Sequence, residues 1–165
     1  MKKEEKTNVM RILAQAKIEY KPYFYGDGTA LSGGDVAKIL GKDPAGVFKT
    51  LVTVGRSGEH YVFMIPVLAE LDLKKAASAA GEKSVEMIRQ KDLLPLTGYV
   101  HGGCSPIGMK KPFRTFIDES AEGMETIFFS AGRIGAQVEM KPADLSKLVK
   151  ASFCNLISVA NSSLL

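Results

Sequence analysis

The sequence predicts an α+β fold: a mixed, curled, barrel-like β-sheet with helices around it. Three observations predict it. Helical and strand periods interleave along 165 residues, a length that suits one domain at about 150 residues apiece. Several strand patterns follow one another with no helix between them, which a doubly wound parallel sheet does not allow. Apolar residues make up 45% and charged residues 24%, enough to bury a core and outside the range of disordered chains.

Thr7 is placed to cap a helix whose apolar positions Val9, Ile12, Leu13 and Ala16 recur three and four apart, with Lys17 at the negative end of its dipole. Glu19 to Tyr25 groups tyrosines and Phe24 around Pro22 and reads as an edge strand, because proline donates no ladder hydrogen bond. Gly26-Asp27-Gly28 then turns the chain. Ser32 or Asp35 opens the next helix, with Val36, Ile39 and Leu40 on one face and Gly41 where a left-handed C-terminal residue belongs. Asp43-Pro44 starts a short helical turn. Thr50 to Val54 and His60 to Val67 are β-branched and aromatic, and the link from Gly55 to Glu59 makes them a hairpin.

Asp72 caps an alanine-rich helix from Leu73 to Ala80 that Gly81 stops, and a further helix is expected from Met87 to Leu94, ahead of Pro95. Residues 98–112 hold four glycines and two prolines and neither period, so they form a loop. Strands follow at Arg114 to Asp118, Thr126 to Ser130 and Gln137 to Met140, then a helix from Pro142 to Val149 and a last strand at Phe153 to Ile157. One domain is expected over residues 1–158, followed by a flexible tail at 159–165.

The longest apolar stretch, Tyr61 to Ala69, contains Pro66 and is far shorter than the ~20 residues of a membrane-crossing helix. Arg11, Gln15 and Lys17 interrupt the N-terminal apolar positions, so no secretory core forms. A cytoplasmic protein is expected, with no membrane partner and with Cys104 and Cys154 reduced. The net charge of +4 is a mild bias toward polyanions that excludes no partner class.

Three phosphate or nucleophile motifs fail on single residues. Gly41 to Gly46 has P-loop spacing, but Val47 stands where the lysine is required. Gly26-x-Gly28 meets Leu31 where a dinucleotide fingerprint needs glycine. Gly103 to Gly108 misses the nucleophile elbow by one residue, and Pro106 removes the N–H that would follow Ser105. With His60 and His101 the only histidines, a triad has few ways to assemble, and a closed zinc site built on His101, Cys104 and Cys154 would have to recruit His60 or a carboxylate. Cys104, in a loop beside Lys110 and Lys111, is either a thiol of lowered pKa or a solvent-facing bystander.

Adjacent glycines, Gly102-Gly103, let backbone N–H groups approach a ligand, and Pro106 stiffens the loop beyond them. Donors aimed at the oxygen of a tetrahedral intermediate matter greatly, with roughly 3 kcal/mol lost on removing one. A plain tight turn fits the same residues. Lys49, between Phe48 and Leu51-Val52, either snorkels to water or points into a polar cavity. Lys110, Lys111 and Arg114 follow the loop closely and either hold phosphates or form a solvated surface.

Asp43-Pro44-x-x-Val47-Phe48-Lys49-Thr50-Leu51, then Leu71-Asp72-Leu73-Lys74-Lys75-Ala76, then Gly98-Tyr99-Val100 leading into Gly102-Gly103-x-x-Pro106-x-Gly108, and finally the strand ending in Ser130, occur in an order and spacing that resembles the YbaK/EbsC family. These are free-standing aminoacyl-tRNA editing domains, and the likeness covers residues 7–158. The resemblance implies a pocket for the 3′-terminal adenosine of tRNA and its esterified amino acid, with no cofactor and no metal. It assigns catalysis to Lys49, Gly102 and Gly103 and substrate contacts to Tyr25, Thr50, Pro106 and Ser130; Ser105 in the same loop is expected to join the substrate contacts, and Lys110, Lys111 and Arg114, by their closeness to the loop, to meet tRNA phosphates. Gln137 departs from a position that can be acidic in the family, which bears on the amino-acid preference. The implied activity is removal of a mischarged amino acid, cysteine first, from tRNA(Pro), with the cysteinyl thiol attacking its own ester carbonyl and leaving as a thiolactone. A prolyl-tRNA synthetase is the implied protein partner. Two other readings stand beside it: a tRNA or synthetase binding module without chemistry, and a hydrolase using Cys104 and His101.

Overall fold

The computed structural model of the chain describes residues 6–26, 29 and 31–158. The turn expected at Gly26-Asp27-Gly28 falls partly, and the tail expected at 159–165 wholly, outside the described residues. Thr7 accepts the Met10 N–H and opens α1 (Asn8–Gln15), which buries Val9, Met10 and Leu13. After β1 (Lys21–Phe24), the Ser32 hydroxyl accepts the Asp35 N–H and opens α2 (Gly33–Leu40), closed by Gly41 at φ 68°. A single 3₁₀ turn at Pro44–Gly46, capped by Asp43, leads into the hairpin of β2 (Phe48–Gly55) and β3 (His60–Pro66). The Asp72 carboxylate accepts the Lys74 and Lys75 N–H groups at the start of α3 (Leu73–Ala80), and Gly81 ends it at φ 74°.

The helix expected from Met87 to Leu94 is corrected. Residues Val85–Met87 form β4, and α4 runs over Gln90–Thr97 with Pro95 inside it. Val85 is pulled into a strand by pairing with Gly55 of β2 and by burial. Proline is tolerated near the end of so short a helix because it forfeits one helical hydrogen bond. The chain continues through β5 (Arg114–Asp118), a 3₁₀ segment at Glu119–Gly123, β6 (Ile127–Ser130), β7 (Ala136–Met140), α5 (Pro142–Val149) and β8 (Ser152–Cys154). The last strand is shorter than expected, and Ile157 makes only an isolated bridge to Leu71.

The barrel is corrected as well: both sheets are open. One orders its strands β1-β7-β6, all antiparallel, and the other β4-β2-β3-β5-β8, with β5 parallel to both neighbours. A lone parallel bridge, Val47 to Phe128, joins the two where they meet. One bridge supplies no ladder, so the curl stops short of closure. Pro22 sits on β1, which pairs only with β7, as an edge strand permits.

Alternation along the strands divides two faces. Phe48, Val52, Met64 and Ile117 of the larger sheet meet Ile127, Phe129 and Val138 of the smaller in the main core, with Leu13 of α1 and Leu145 of α5. On the reverse face, Tyr61, Phe63, Ile65 and Phe116 pack on Ala76, Ala77 and Ala80, whose small side chains let α3 lie close. Val47, Val67 and Phe128 pack there too, against Ala37 of α2. The α2 and α3 clusters do not merge, and the face between them is left for polar side chains.

Candidate functional site

Two residues beyond the Val47–Phe128 bridge stand Lys49 on β2 and Ser130 on β6, and alternation puts both on the reverse face. Ser130 lies opposite Gln137 in the β6–β7 register, and Lys49 lies opposite Ile65. Gln137 in turn lies beside the hydroxyl of Tyr25, just past β1. Lys49, Ser130, Gln137 and Tyr25 are thereby drawn to the stretch of sheet between α2 and α3.

Lys49 is half-buried, and burial holds its ammonium below the ordinary lysine pKa, with the Glu70 carboxylate pulling the other way. Among the described residues it has no ion-pair partner within 4.0 Å. Burial raises the Tyr25 hydroxyl, and Gln137 beside it partly offsets the rise. Ser130 Oγ accepts the Gly132 N–H at 3.1 Å. Gln137 is only 7% exposed, yet its Oε1 has no partner. Thr50, next after Lys49, leaves β2 by the opposite face, and its buried Oγ1 is also unpartnered. Each such atom costs about 1–3 kcal/mol of desolvation, so native proteins seldom keep one without a use.

The glycine loop is seated at the same end of the smaller sheet. Gly102 is exposed at φ 87°. Gly103 is buried, its N–H donating to the Val100 carbonyl at 2.9 Å, and a Cβ there would stand 3.0 Å from the Cα and carbonyl carbon of Arg133. The loop therefore rests on the turn that follows Ser130. Ser105, fully buried, accepts the Ile107 N–H at 3.3 Å, and Pro106 is buried beside it, so both shape the loop from within.

Two expectations about this region are corrected. Cys104 is neither solvent-facing nor activated: it belongs to the main core, and burial pushes its thiol up to about 12. Of the three cations, Arg114 parts from the two lysines. Arg114 crosses to the α3 side, donates to the Ala80 carbonyl and lies over the Tyr61 and Phe116 rings. Lys110 reaches the Pro95 carbonyl of α4, while Lys111 borders a groove with Phe113 and Lys150. His60 opens β3 edge-on to Phe113, and His101 is exposed. Sequence reasoning missed Glu70 and Arg133; the glycines flanking Arg133 were a signal for a tight turn, but nothing local pointed to its contact with Gly103.

Two surface clefts, of about 650 and 310 Å³, lie away from Lys49, one along Val54, Met87 and Leu96, the other behind Pro106 and Lys111. Among the described residues, no group of three His, Cys, Asp or Glu side chains is placed to hold a metal, and no helix is long and apolar enough to cross a membrane.

The chain is similar to known proteins over most of its length. A relative from Enterococcus faecalis, provisionally named Cys-tRNA(Pro)/Cys-tRNA(Cys) deacylase EbsC, is 46% identical over 156 residues, 94% of this chain and 95% of its own. A proline–tRNA ligase of Citrifermentans bemidjiense is 30% identical over 113 residues, 68% of this chain but 19% of the ligase. A crystal structure described provisionally as a trans-editing enzyme for prolyl tRNA synthetase superposes with a TM-score of 0.76 at 26% identity, over 85% of this chain and 87% of that one. Another, of a hypothetical protein, reaches 0.84 at 21% identity, over 91% and 99%, and speaks for the fold alone. Residues 29–148 match the aminoacyl-tRNA editing domain, and the chain belongs to that family.

Proposed function

We propose that this aminoacyl-tRNA deacylase removes cysteine from mischarged tRNA(Pro), with the cysteinyl thiol as the nucleophile. The observation that carries the reading is the unpartnered buried Gln137 Oε1 on the same face as the half-buried Lys49. A polar atom left open on the face that presents an ammonium suits a polar ligand and does nothing for a closed core. The Cys104 thiol, buried in the main core and held protonated, offers no nucleophile there. A substrate that brings its own nucleophile removes that need.

In the proposed step the cysteinyl sulfur bonds to its own carbonyl carbon and the bond from that carbon to the ribose oxygen breaks. The thiol proton passes to that oxygen, giving a thiolactone and free tRNA. Holding the reacting atoms in line supplies the rate advantage of an intramolecular reaction. Lys49 and the exposed Gly102 stabilise the charge that develops on the carbonyl oxygen. The likeness to a segment of proline–tRNA ligases supports action alongside a prolyl-tRNA synthetase.

The test is a panel of Cys-, Ser-, Ala- and Pro-tRNA(Pro), with products identified by mass. Decay of the cysteinyl ester alone, with a thiolactone product and a roughly 100-fold loss in Lys49→Met, is expected. No decay faster than buffer overturns the activity, and binding without turnover favours the binding module. A covalent adduct on Cys104, or loss of activity in Cys104→Ser, moves the nucleophile to the protein.

A further inference from the structure

We infer that Arg133, on the turn between β6 and β7, meets the phosphate backbone of the acceptor strand at the edge of the site; this rests on the editing reading above. Of the basic residues that follow the glycine loop in sequence, Arg114 is committed to the Ala80 carbonyl and two rings on the α3 side. Arg133 is positioned differently. Its Cα and carbonyl carbon lie directly against Gly103, and it stands three residues past Ser130. Its side chain is exposed, with the guanidinium carbon 5.2 Å from the centroid of Phe24, the residue before Tyr25. The cation is thereby held beside the glycine loop and the end of β6, over a ring that β1 turns toward the main core.

Among the described residues Arg133 has no carboxylate within 4.0 Å, so its charge is not neutralised within the fold. A guanidinium laid on an aromatic ring is held by cation–π attraction on one face while its in-plane N–H donors stay free. Those donors match two oxygens of one phosphate, a geometry that an ammonium does not reproduce. The ligand class is a single-stranded polynucleotide backbone, because an acyl group reaches the site only at the end of an unpaired strand.

Arg133→Ala and Arg133→Lys are compared on Cys-tRNA(Pro) and on the cysteinyl ester of adenosine, which carries no phosphate. Arg133→Ala is expected to lower kcat/KM on the tRNA about fivefold, a loss confined to the phosphate-bearing substrate. The slope of log kcat/KM against log salt becomes shallower by about 0.7, as for one single-strand phosphate contact. Arg133→Lys keeps the slope and recovers part of the rate. Equal losses on both esters, or no loss on the tRNA, overturn the assignment. Binding of uncharged tRNA, followed by fluorescence anisotropy, carries the same slope difference without chemistry. A wild-type chain that cleaves neither ester therefore defeats the editing reading, while the anisotropy slopes still decide for or against Arg133.

Discussion

Gly103→Ala tests whether the glycine loop is held in place by the turn that follows Ser130. An added Cβ would stand 3.0 Å from three backbone atoms, the Cα and carbonyl carbon of Arg133 and the amide nitrogen of Ile134, where ordinary contact begins at 3.4 Å. Backbone atoms cannot swing aside as a flexible side chain does, so loop and turn must separate by a few tenths of an ångström. Overpacking of this kind costs about 1–3 kcal/mol. For a chain of this size each kcal/mol lowers the melting midpoint by about 2–4 °C, so the loss is about 2–12 °C by circular dichroism. Gly123→Ala is the matched control, because a Cβ there meets nothing within 4 Å. Deacylation measured well below the melting range falls further in Gly103→Ala, since the displaced turn carries Ser130 with it. A Gly103→Ala protein that melts with wild type refutes the packing argument and, with it, the placement of the loop at the site.

Thr50→Val keeps the shape of the side chain and removes an unpartnered buried hydroxyl on the face turned away from Lys49; it is expected to stabilise the fold by about 1 kcal/mol with no specific loss of deacylation, and a lowered melting point would contradict the missing partner. The Cys104 thiol gives a pH dependence of defined sign. Burial raises it from 9.0 to about 12 in the folded chain, so the unfolded chain ionises first. The stability due to the neutral thiol is complete below pH 9 and is lost as pH rises toward 12, at up to about 1.4 kcal/mol per unit. Urea melts between pH 8.5 and 10.5 should therefore decline more steeply for wild type than for Cys104→Ala; parallel curves would contradict the burial. Tyr99, also raised to about 12 by burial and by Cys104, joins the decline above its ordinary value of 10.0.

What the sequence made legible was local chemistry. Thr7, Asp72 and Gly81 mark helix ends through hydrogen bonds and a φ angle that involve only near neighbours, and α3, α5 and β5 lie where those signals put them. Elements decided by distant partners were misread. Val85–Met87 is a strand because β2 offers it an edge, and no pattern within three residues announces that. Residues 98–112 read as a loop on their glycines and prolines, which leaves open that Gly103–Ile107 are buried, because turn residues set conformation and say nothing of location. That silence left Cys104 open to a solvent-facing reading. Lys49 and Ser130 are visible as candidates in the sequence, but their adjacency is made by a bridge between residues 47 and 128. Arg114 failed for the complementary reason: closeness in sequence to the loop did not survive strand alternation, which sent its side chain to the α3 side.

The register of β2 is where sequence, fold and chemistry meet. Lys49 faces the open stretch between α2 and α3 only because Val47 takes the bridging position, and side chains on a strand change face with every residue. The preceding turn fixes that position from several sides. Asp43 Oδ1 accepts the Ala45 N–H at 2.9 Å, the Pro44 carbonyl accepts the Val47 N–H at 3.2 Å, and the Val47 carbonyl accepts the Val67 N–H at 2.8 Å. A slip by one residue would put Lys49 into the main core and Thr50 beside Ser130, burying a charge and trading an ammonium for a hydroxyl. The Asp43-Pro44 turn, which touches no substrate in the proposed reaction, therefore governs it by determining which side chain arrives at the site.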